Sequence, residues 1–521
     1  MTLFDTIEER TLRPLRGRQI AAPGLLRDAI KQGHRHIVAQ APTGYGKTQL
    51  AAEMVHSCLK KGGKAIFVAP AIELVEQTLK SFESQGIRDV GVMQARHHRT
   101  DHMASLQIAC LATLIRRPVI QEVKLVIIDE CHQQSDFIYG LMADQWKDVI
   151  VIGLSATPWA RGMGRPYTKL VVLATMRDMM EDGPPTGLCK WWGYGVPKEM
   201  SPDVSGVKRV AGKLDEAGVS QVMSTRTIVG NTVETWLKHR QLANHPGDRT
   251  FLYGVDRAHA KALMEAFNAA GVKFGYMDGE TSSEERQRVF AQYDSREIAG
   301  IANVGVLIAG VDKDVRCISD NCYTESEIRL VQQHGRGMRI KDDGAALFVL
   351  DHAGNRERLG NPEDIHHLTL DARGPKDKDD PYKDEKPVPK PRTCSKCFAL
   401  IPPATRVCPK CGDVYVKTAT VEHLKGELVE MGKKKPKKEP KDVKQEFYSG
   451  LLYIGAERNP DNPEKAAKFA LAKYRQRFGV WPNRLQKVPA RPSVAVRKYD
   501  QEKRIEYFKS QQSSAEVSSN G

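Results

Sequence analysis

The sequence predicts an α/β protein in which two units, each a parallel sheet wrapped by helices, follow one another along the chain. Three observations predict it. Short apolar runs alternate with amphipathic helical stretches twice over, the pattern of parallel strands joined by crossover helices. A glycine-rich turn at residues 40–50, QAPTGYGKTQL, stands between a strand and a helix. A carboxylate pair, Asp129 and Glu130, closes the apolar run LVIIDE. The length of 521 residues suits three or four structural units.

In the first unit, HIVAQ, KAIFVAP, LQIACLAT, KLVIIDE and DVIVIGLSA read as buried strands, with helices at 48–60 and 72–82. The second series starts near Thr250. It runs RTFLYGV, a helix at 257–270, KFGYMDG, a helix at 282–293, IAGIANV and ALFVLDH. The expected divisions are 1–165 and 246–372 for the two units, with 166–245 connecting them. Residues 373–392 are charged and proline-rich, the composition of an extended linker. A cysteine module at 393–413 and a basic, partly helical region at 414–521 follow. The closing QQSSAEVSSNG reads as a disordered tail.

A strand–loop–helix with glycines points backbone N–H groups at phosphate oxygens, helped by the positive end of the helix. Gly44 and Gly46 let the backbone approach, Lys47 would neutralise the β- and γ-phosphates, and Thr48 would hold Mg²⁺. The usual pattern opens with glycine where this chain has Ala41, which is tolerable because the donors lie further along. At the end of another strand of the same unit, Asp129 would hold Mg²⁺ through water and Glu130 would polarise the attacking water. Together these read as an NTPase.

Ten cysteines are present, six of them scattered singly. The other four, Cys394, Cys397, Cys408 and Cys411, form two Cys-x-x-Cys pairs, the spacing of a zinc ribbon. Zn²⁺ is the expected ion, although iron would accept the same ligands. With every position a cysteine, the site should be structural.

The formal charge is +15, which favours a polyanionic partner. Seven lysines between 433 and 444 could contact phosphates or could form a solvated linker. The segment AAKFALAKYRQRFGVWPNR mixes cations with aromatic residues that could stack bases or form a small core. No opening stretch reads as a signal peptide, and the longest apolar runs are too short to span a bilayer. A cytoplasmic protein with no membrane partner is expected. His97, His98 and His102 lie close in sequence but read as a polar surface loop. No arrangement argues for a nuclease, protease or methyltransferase.

APTGYGKT, DECH, LSATP (154–158) and QQHGRGMR (332–339), in that order and spacing over about residues 10–355, resemble a superfamily 2 helicase of the DEAD/DEAH-like kind. The four-cysteine module and the FGVWP segment resemble the RadD-like group of bacterial and phage helicases. The resemblance implies two tandem RecA-like domains and ATP as the nucleotide, with Gln19 reading adenine. Thr43, Tyr45, Gly310 and Asp312 would join Gly44, Gly46, Lys47 and Thr48 around it. Gln332, Arg336 and Arg339 would act from the second unit, where an arginine on the transferring phosphoryl group supplies roughly 10³–10⁵ in rate. His132, Ser155 and Thr157 would couple the ATP site to nucleic acid, and Pro70, Gln77 and Thr113 would touch its backbone. An arginine common in that motif is replaced by Ile72.

The implied function is an ATP-dependent DNA helicase or translocase of repair, recombination or replication, in a bacterial host or a phage-infected cell. The alternatives are an RNA helicase and a nucleic-acid-stimulated ATPase that remodels complexes without unwinding. A protein partner could dock on the cysteine module or the C-terminal tail.

Overall fold

A computed structural model describes residues 12–94, 97–114, 116, 122–133, 136–196, 201–210, 213–242, 249–308, 310–374, 377, 381–382, 384–414, 440–478, 480–501 and 503–504. Lys433, Lys434, Lys435, Lys437 and Lys438, the tail at 511–521 and part of the 373–392 segment lie outside these. Residues 1–418 form one compact unit and 419–521 another.

The first sheet has seven strands: β1 (His36–Gln40), β2 (Lys64–Ala69), β3 (Val90–Met93), β4 (Leu106–Cys110), β5 (Val123–Ile128), β6 (Ile150–Ser155) and β7 (Lys169–Val172). Their spatial order is β3-β4-β2-β5-β6-β1-β7, and every neighbouring pair is parallel. The central strands are apolar along nearly their whole length because both faces are covered, as crossover helices require. In register, Gln40 lies beside Ser155 and Val68 beside Ile128. The glycine-rich loop, the Asp129–Glu130 pair and Ser155 therefore emerge together at the carboxyl edge, where open sheets bind ligands.

The second sheet takes β8 (Trp191–Gly195) and, past the small hairpin β9 (Arg209–Val210) and β10 (Lys213–Leu214), β11 (Thr250–Tyr253), β12 (Phe274–Met277), β13 (Gly300–Asn303), β14 (Cys317–Asp320) and β15 (Leu347–Asp351). Its order is β12-β13-β11-β14-β15-β8, again all parallel. Two parallel α/β sheets in tandem make the architecture that of two RecA-like domains. The 166–245 segment does more than connect them: β7 edges the first sheet and β8 edges the second.

At the carboxyl edge of the second sheet, cross-strand neighbours Asp320 and Asp351 are both buried. Arg356 Nη1 lies 3.4 Å from Asp320 Oδ2 and 3.6 Å from Asp351 Oδ2. Asn355 Nδ2 donates to Asp320 Oδ2 at 3.0 Å, and Arg356 Nη2 meets His334 Nδ1 at 3.1 Å. Burial, then the charge of Asp351, raises the Asp320 carboxyl above its usual range. Arg356→Ala would leave these two carboxylates uncompensated, and a loss of about 3–5 kcal/mol is expected in denaturant unfolding.

The cysteine module carries the two-residue ladder of β16 (Arg392–Thr393) and β17 (Leu400–Ile401) and docks on β8. Gly195 N donates to Phe398 O at 3.1 Å, and a Cβ at Gly195 would come within 2.8 Å of Thr393 Oγ1, so glycine allows the approach.

The C-terminal unit is a helix pair, Lys441–Arg458 and Pro463–Phe478. Its core holds Phe447, Tyr448, Leu451, Ile454, Ala470, Tyr474 and Val496. Most of the aromatic residues of this region are therefore spent on packing. Among the described residues no helix is long and apolar enough to cross a membrane.

Candidate active site

The glycine-rich loop leaves β1 with Ala41 still paired, its N–H donating to Ser155 O at 3.0 Å. Its side chain is fully buried. Alanine suits this position because the chain is still extended there. The turn itself uses Gly44 at φ +91° and Gly46 at φ +88°, and Gly46 caps the helix Lys47–Leu59. Lys47 Nζ folds back onto Ala41 O (3.1 Å) and Pro42 O (3.4 Å).

This loop opens on a cleft of about 840 Å³ whose walls come from both domains. Gln19, Thr43, Gly44, Gly46, Lys47, Thr48, Asp129 and Glu130 line one side, and Gly310, Asp312, Arg336 and Arg339 line the other. The helix Glu327–Gly337 approaches the loop closely: a Cβ at Gly335 would meet Thr43 at 3.1 Å, and one at Gly44 would meet Arg339 Cγ at 3.8 Å. Arg336 donates to Ile308 O at 2.6 Å and Arg339 to Val311 O at 3.1 Å, with Asp312 pairing Arg339.

Asp129 sits on the cleft floor, where packing strips most of its hydration. Burial, with Glu130 beside it, pushes its carboxyl up to about 6 against the pull of Lys47 and Arg336. Glu130 is held at φ +45°, a left-handed backbone that is costly without glycine. Its Oε2 is buried with no hydrogen-bond partner among the described residues. An anionic pair so poorly solvated, facing Lys47 and two arginines, fits a metal-bound polyphosphate.

From Glu130 a polar chain crosses the domain boundary. His132 Nδ1 lies 3.4 Å from Glu130 Oε2 and 2.9 Å from Ser155 Oγ. The Gln332 amide nitrogen lies 2.8 Å from His132 Nε2 and 3.1 Å from Thr157 Oγ1. Burial holds the His132 imidazole below its ordinary range, so it is neutral near pH 7. With the Gln332 amide donating to Nε2, the imidazole proton sits on Nδ1 and donates to Ser155. Gln332, grouped with the arginines from sequence, does not line the cleft and instead grips this chain.

The remaining residues sort by position. Gln19 is buried, and its Nε2 donates to Tyr45 O at 2.5 Å. Tyr45 itself turns into the core, its hydroxyl donating to Arg18 O at 3.2 Å, and does not line the cleft. Gln77 lies on the cleft wall, Pro70 lines a small recess beside Asp129 and Glu130, and Thr113 sits half-buried on the short helix Leu111–Leu114. Ile72 is 51% exposed, so no basic side chain stands there. His97 and His98 gather with Glu76, but His97 Nδ1 accepts from Arg99 N at 3.1 Å. Its proton is thereby placed on Nε2, toward Glu76, and no lone pair remains for a metal.

Sequence reasoning missed one wall of the cleft and one return of the chain between the domains. Thr186 and Leu188, from the stretch before β8, form a further wall against Gly17 and Gly44. Residues 361–374 run back from the second domain to the first, with Gly164 N donating to Asp371 O at 2.9 Å. Their pivot is His367, whose Nε2 lies 3.0 Å from Glu327 at the start of the arginine helix and whose Nδ1 lies 2.7 Å from Glu385. The ring stacks on Tyr382 and meets Trp159 edge-on at 5.1 Å, two residues past Thr157. Burial opposes its charge, but the two carboxylate hydrogen bonds win and raise its pKa above the ordinary value. A raised pKa contributes stability below the unfolded value and loses it as pH rises through the folded one. Melting temperature should therefore fall with rising pH above about 6.5 more steeply in the native chain than in His367→Asn. Parallel curves for the two would remove His367 from that role.

In the cysteine module all four Sγ atoms lie within 4.8 Å of one another, with Cys394–Cys411 and Cys397–Cys408 each at 3.7 Å. A tetrahedron of zinc–sulfur bonds of about 2.3 Å has edges of about 3.8 Å, so the thiolates fit the ion.

Two family models match the chain. The model for the res subunit of type III restriction enzymes covers residues 13–160, and the model for the helicase conserved C-terminal domain covers 233–341. A 51.5 kDa protein of Lactococcus phage (isolate 7-9) is 25% identical over 378 residues, 72% of this chain and 77% of that one. The yeast protein "Putative ATP-dependent helicase IRC3" is 26% identical over 350 residues, and the match spans 50% of its length. Among solved structures, a fragment of "a putative HsdR subunit of a type I restriction enzyme" from Vibrio vulnificus YJ016 aligns at TM-score 0.53 and 16% identity. It covers 71% of this chain and 70% of that one, a likeness of fold. With a cleft built by paired RecA-like domains and a matching model on each, the chain carries the two motor domains of a superfamily 2 helicase and is an ATP hydrolase.

Proposed function

We propose that the chain is an ATP-driven motor on DNA of the RadD-like kind, moving along or opening DNA in repair, recombination or replication. The observation that carries this reading is the cleft with Lys47, Asp129 and Glu130 on one wall and Arg336 and Arg339 on the other. Lys47 and the helix N-terminus would hold the β- and γ-phosphates, Thr48 and Asp129 the Mg²⁺ ion, and Gln19 the adenine edge. Mg²⁺ supplies charge neutralisation on the phosphates when bound. Glu130 would orient water and accept its proton. Arg336 and Arg339 would leave their carbonyl partners to meet negative charge developing on the γ-phosphoryl group.

The Glu130–His132–Gln332 chain gives the motor its transmission. A shift of Glu130 on hydrolysis changes what His132 and Gln332 can hold, and the second domain is freed to move. Pro70, Gln77 and Thr113 would lie along the strand path. Zn²⁺ on Cys394, Cys397, Cys408 and Cys411 would brace β8, the edge of the moving domain. The net charge of +15 supports a polyanionic track. The phage origin of one relative supports a setting inside an infected or bacterial cell.

ATPase activity should be measured with single-stranded, duplex and forked DNA and with RNA, at two salt concentrations. Strongest stimulation by single-stranded or forked DNA is expected. Preference for RNA would move the reading to an RNA helicase. Stimulation by DNA without opening of a forked duplex would leave a translocase or remodelling ATPase, and no stimulation by any nucleic acid would end the motor reading.

A further inference from the structure

The C-terminal unit carries a charge pattern that its small core does not need. Between residues 465 and 499 there are ten Lys and Arg and no Asp or Glu. Two of these cations are drawn to acids just outside the stretch, Lys468 to Glu464 at 2.7 Å and Arg497 to Glu457 at 3.9 Å. Arg484, Lys487 and Arg491 are exposed and have no ion pair among the described residues.

The same stretch holds an aromatic residue that packing leaves out. Trp146, Trp159 and Trp236 are buried to 6% exposure or less, whereas Trp481 is 52% exposed. Val480 beside it is 53% exposed. The Arg475 guanidinium lies 4.6 Å from the Trp481 ring centre, so the indole is held by a cation–π contact and is not loose in solvent. An exposed, oriented indole amid cations costs solvation and stabilises little by itself. It suits a ligand with flat apolar faces and a negatively charged backbone.

We propose that the Trp481–Arg475 platform, with Arg484, Lys487 and Arg491, binds single-stranded DNA separately from the motor cleft. This rests on the reading of the chain as a DNA motor and adds a second foothold for the same strand. An unpaired base stacks on Trp481, and the cations that follow take the adjacent phosphates. Paired bases already stack on one another and cannot offer a free face, so duplex DNA gains only the phosphate part. An acidic peptide would use the cations but would not need the indole.

The test uses the full chain and an oligo-dT strand, with binding followed by fluorescence anisotropy at several salt concentrations. Trp481→Ala should weaken binding roughly tenfold and Trp481→Phe should recover most of it. Replacing Arg484, Lys487 and Arg491 together by alanine should reduce the salt slope by about 2, at roughly 0.7 for each phosphate contact on a single strand. ATPase activity without DNA and the melting temperature should match the native chain in all variants. Native-like oligo-dT affinity in Trp481→Ala overturns the proposal. So does an equal loss for duplex DNA, tighter binding of oligo-U RNA, or a Trp481-dependent complex with an acidic peptide. These outcomes are separable from failure of the motor reading, in which DNA would leave native ATPase activity unchanged whatever Trp481 does.

Discussion

Arg336→Ala is expected to lower ATP turnover by roughly 10³–10⁵ while ATP still binds, because Lys47 and the loop amides proposed to hold the phosphates stay in place. Both arginines are tied to carbonyls of their own domain, yet Arg336 is near enough to lower the Asp129 carboxyl pKa. In the proposed mechanism either one would swing from its carbonyl partner to meet the phosphates. Glu130→Gln should have a comparable effect by a different route. It keeps the shape of the side chain and removes the proposed proton acceptor. The two variants differ in what remains: Glu130→Gln should trap ATP in a closed cleft, whereas Arg336→Ala should leave the domains less firmly joined. Single-turnover hydrolysis with a fluorescent ATP analogue measures both, and native turnover in either variant would remove that residue from the chemistry.

Replacing Cys408 by serine should release the metal and unfold the cysteine module. Structural zinc contributes on the order of 10–16 kcal/mol to the folding of isolated small modules, and this one has little else. Its ladder is two residues per strand, and Cys394 and Cys408 are themselves part of its core. The loss would reach further because that core is shared with Tyr194 of β8, Trp236 and Phe348. Lys410, whose ammonium lies 4.2 Å from the Tyr194 ring centre, would leave too. The expected results are one zinc per native chain by metal analysis, none in Cys408→Ser, and an early unfolding step in the variant's melting curve. A metal-free native chain with an unchanged melt in the variant would make the four cysteines a plain packing cluster. Iron on the same thiolates would show as visible absorbance.

The local part of this site was legible in sequence because its chemistry is written in contiguous residues. QAPTGYGKT specifies a turn, a cation and a helix start within one loop, and LVIIDE places two acids at a strand end. The Cys-x-x-Cys pairs specify a tetrahedron by spacing. Long apolar strands such as β2 and β6 were equally plain. Four strands were not: β3, β7, β8 and β14 fall outside the runs read as strands. WWGYG lacks the β-branched run that marks a buried strand, and CISD resembles a turn. Each is held in its sheet by its pairing partner, as β8 is by β15 along all five residues, and that support is invisible in one dimension.

What the sequence by itself determined, then, is the glycine-rich loop, the carboxylate pair at a strand end, the tandem α/β order and the four-cysteine spacing, because each is written in local runs of residues. Only the tertiary structure decided how the halves touch. Gln332 meets His132 across 200 positions of chain, and His367 joins the arginine helix to Trp159 from a stretch beside a charged, proline-rich segment that reads as linker. Such contacts leave no periodicity or spacing, since each partner fits its own element equally well alone. They exist because folding brings the carboxyl edges of two sheets face to face and leaves buried polar groups that only the opposite domain can satisfy.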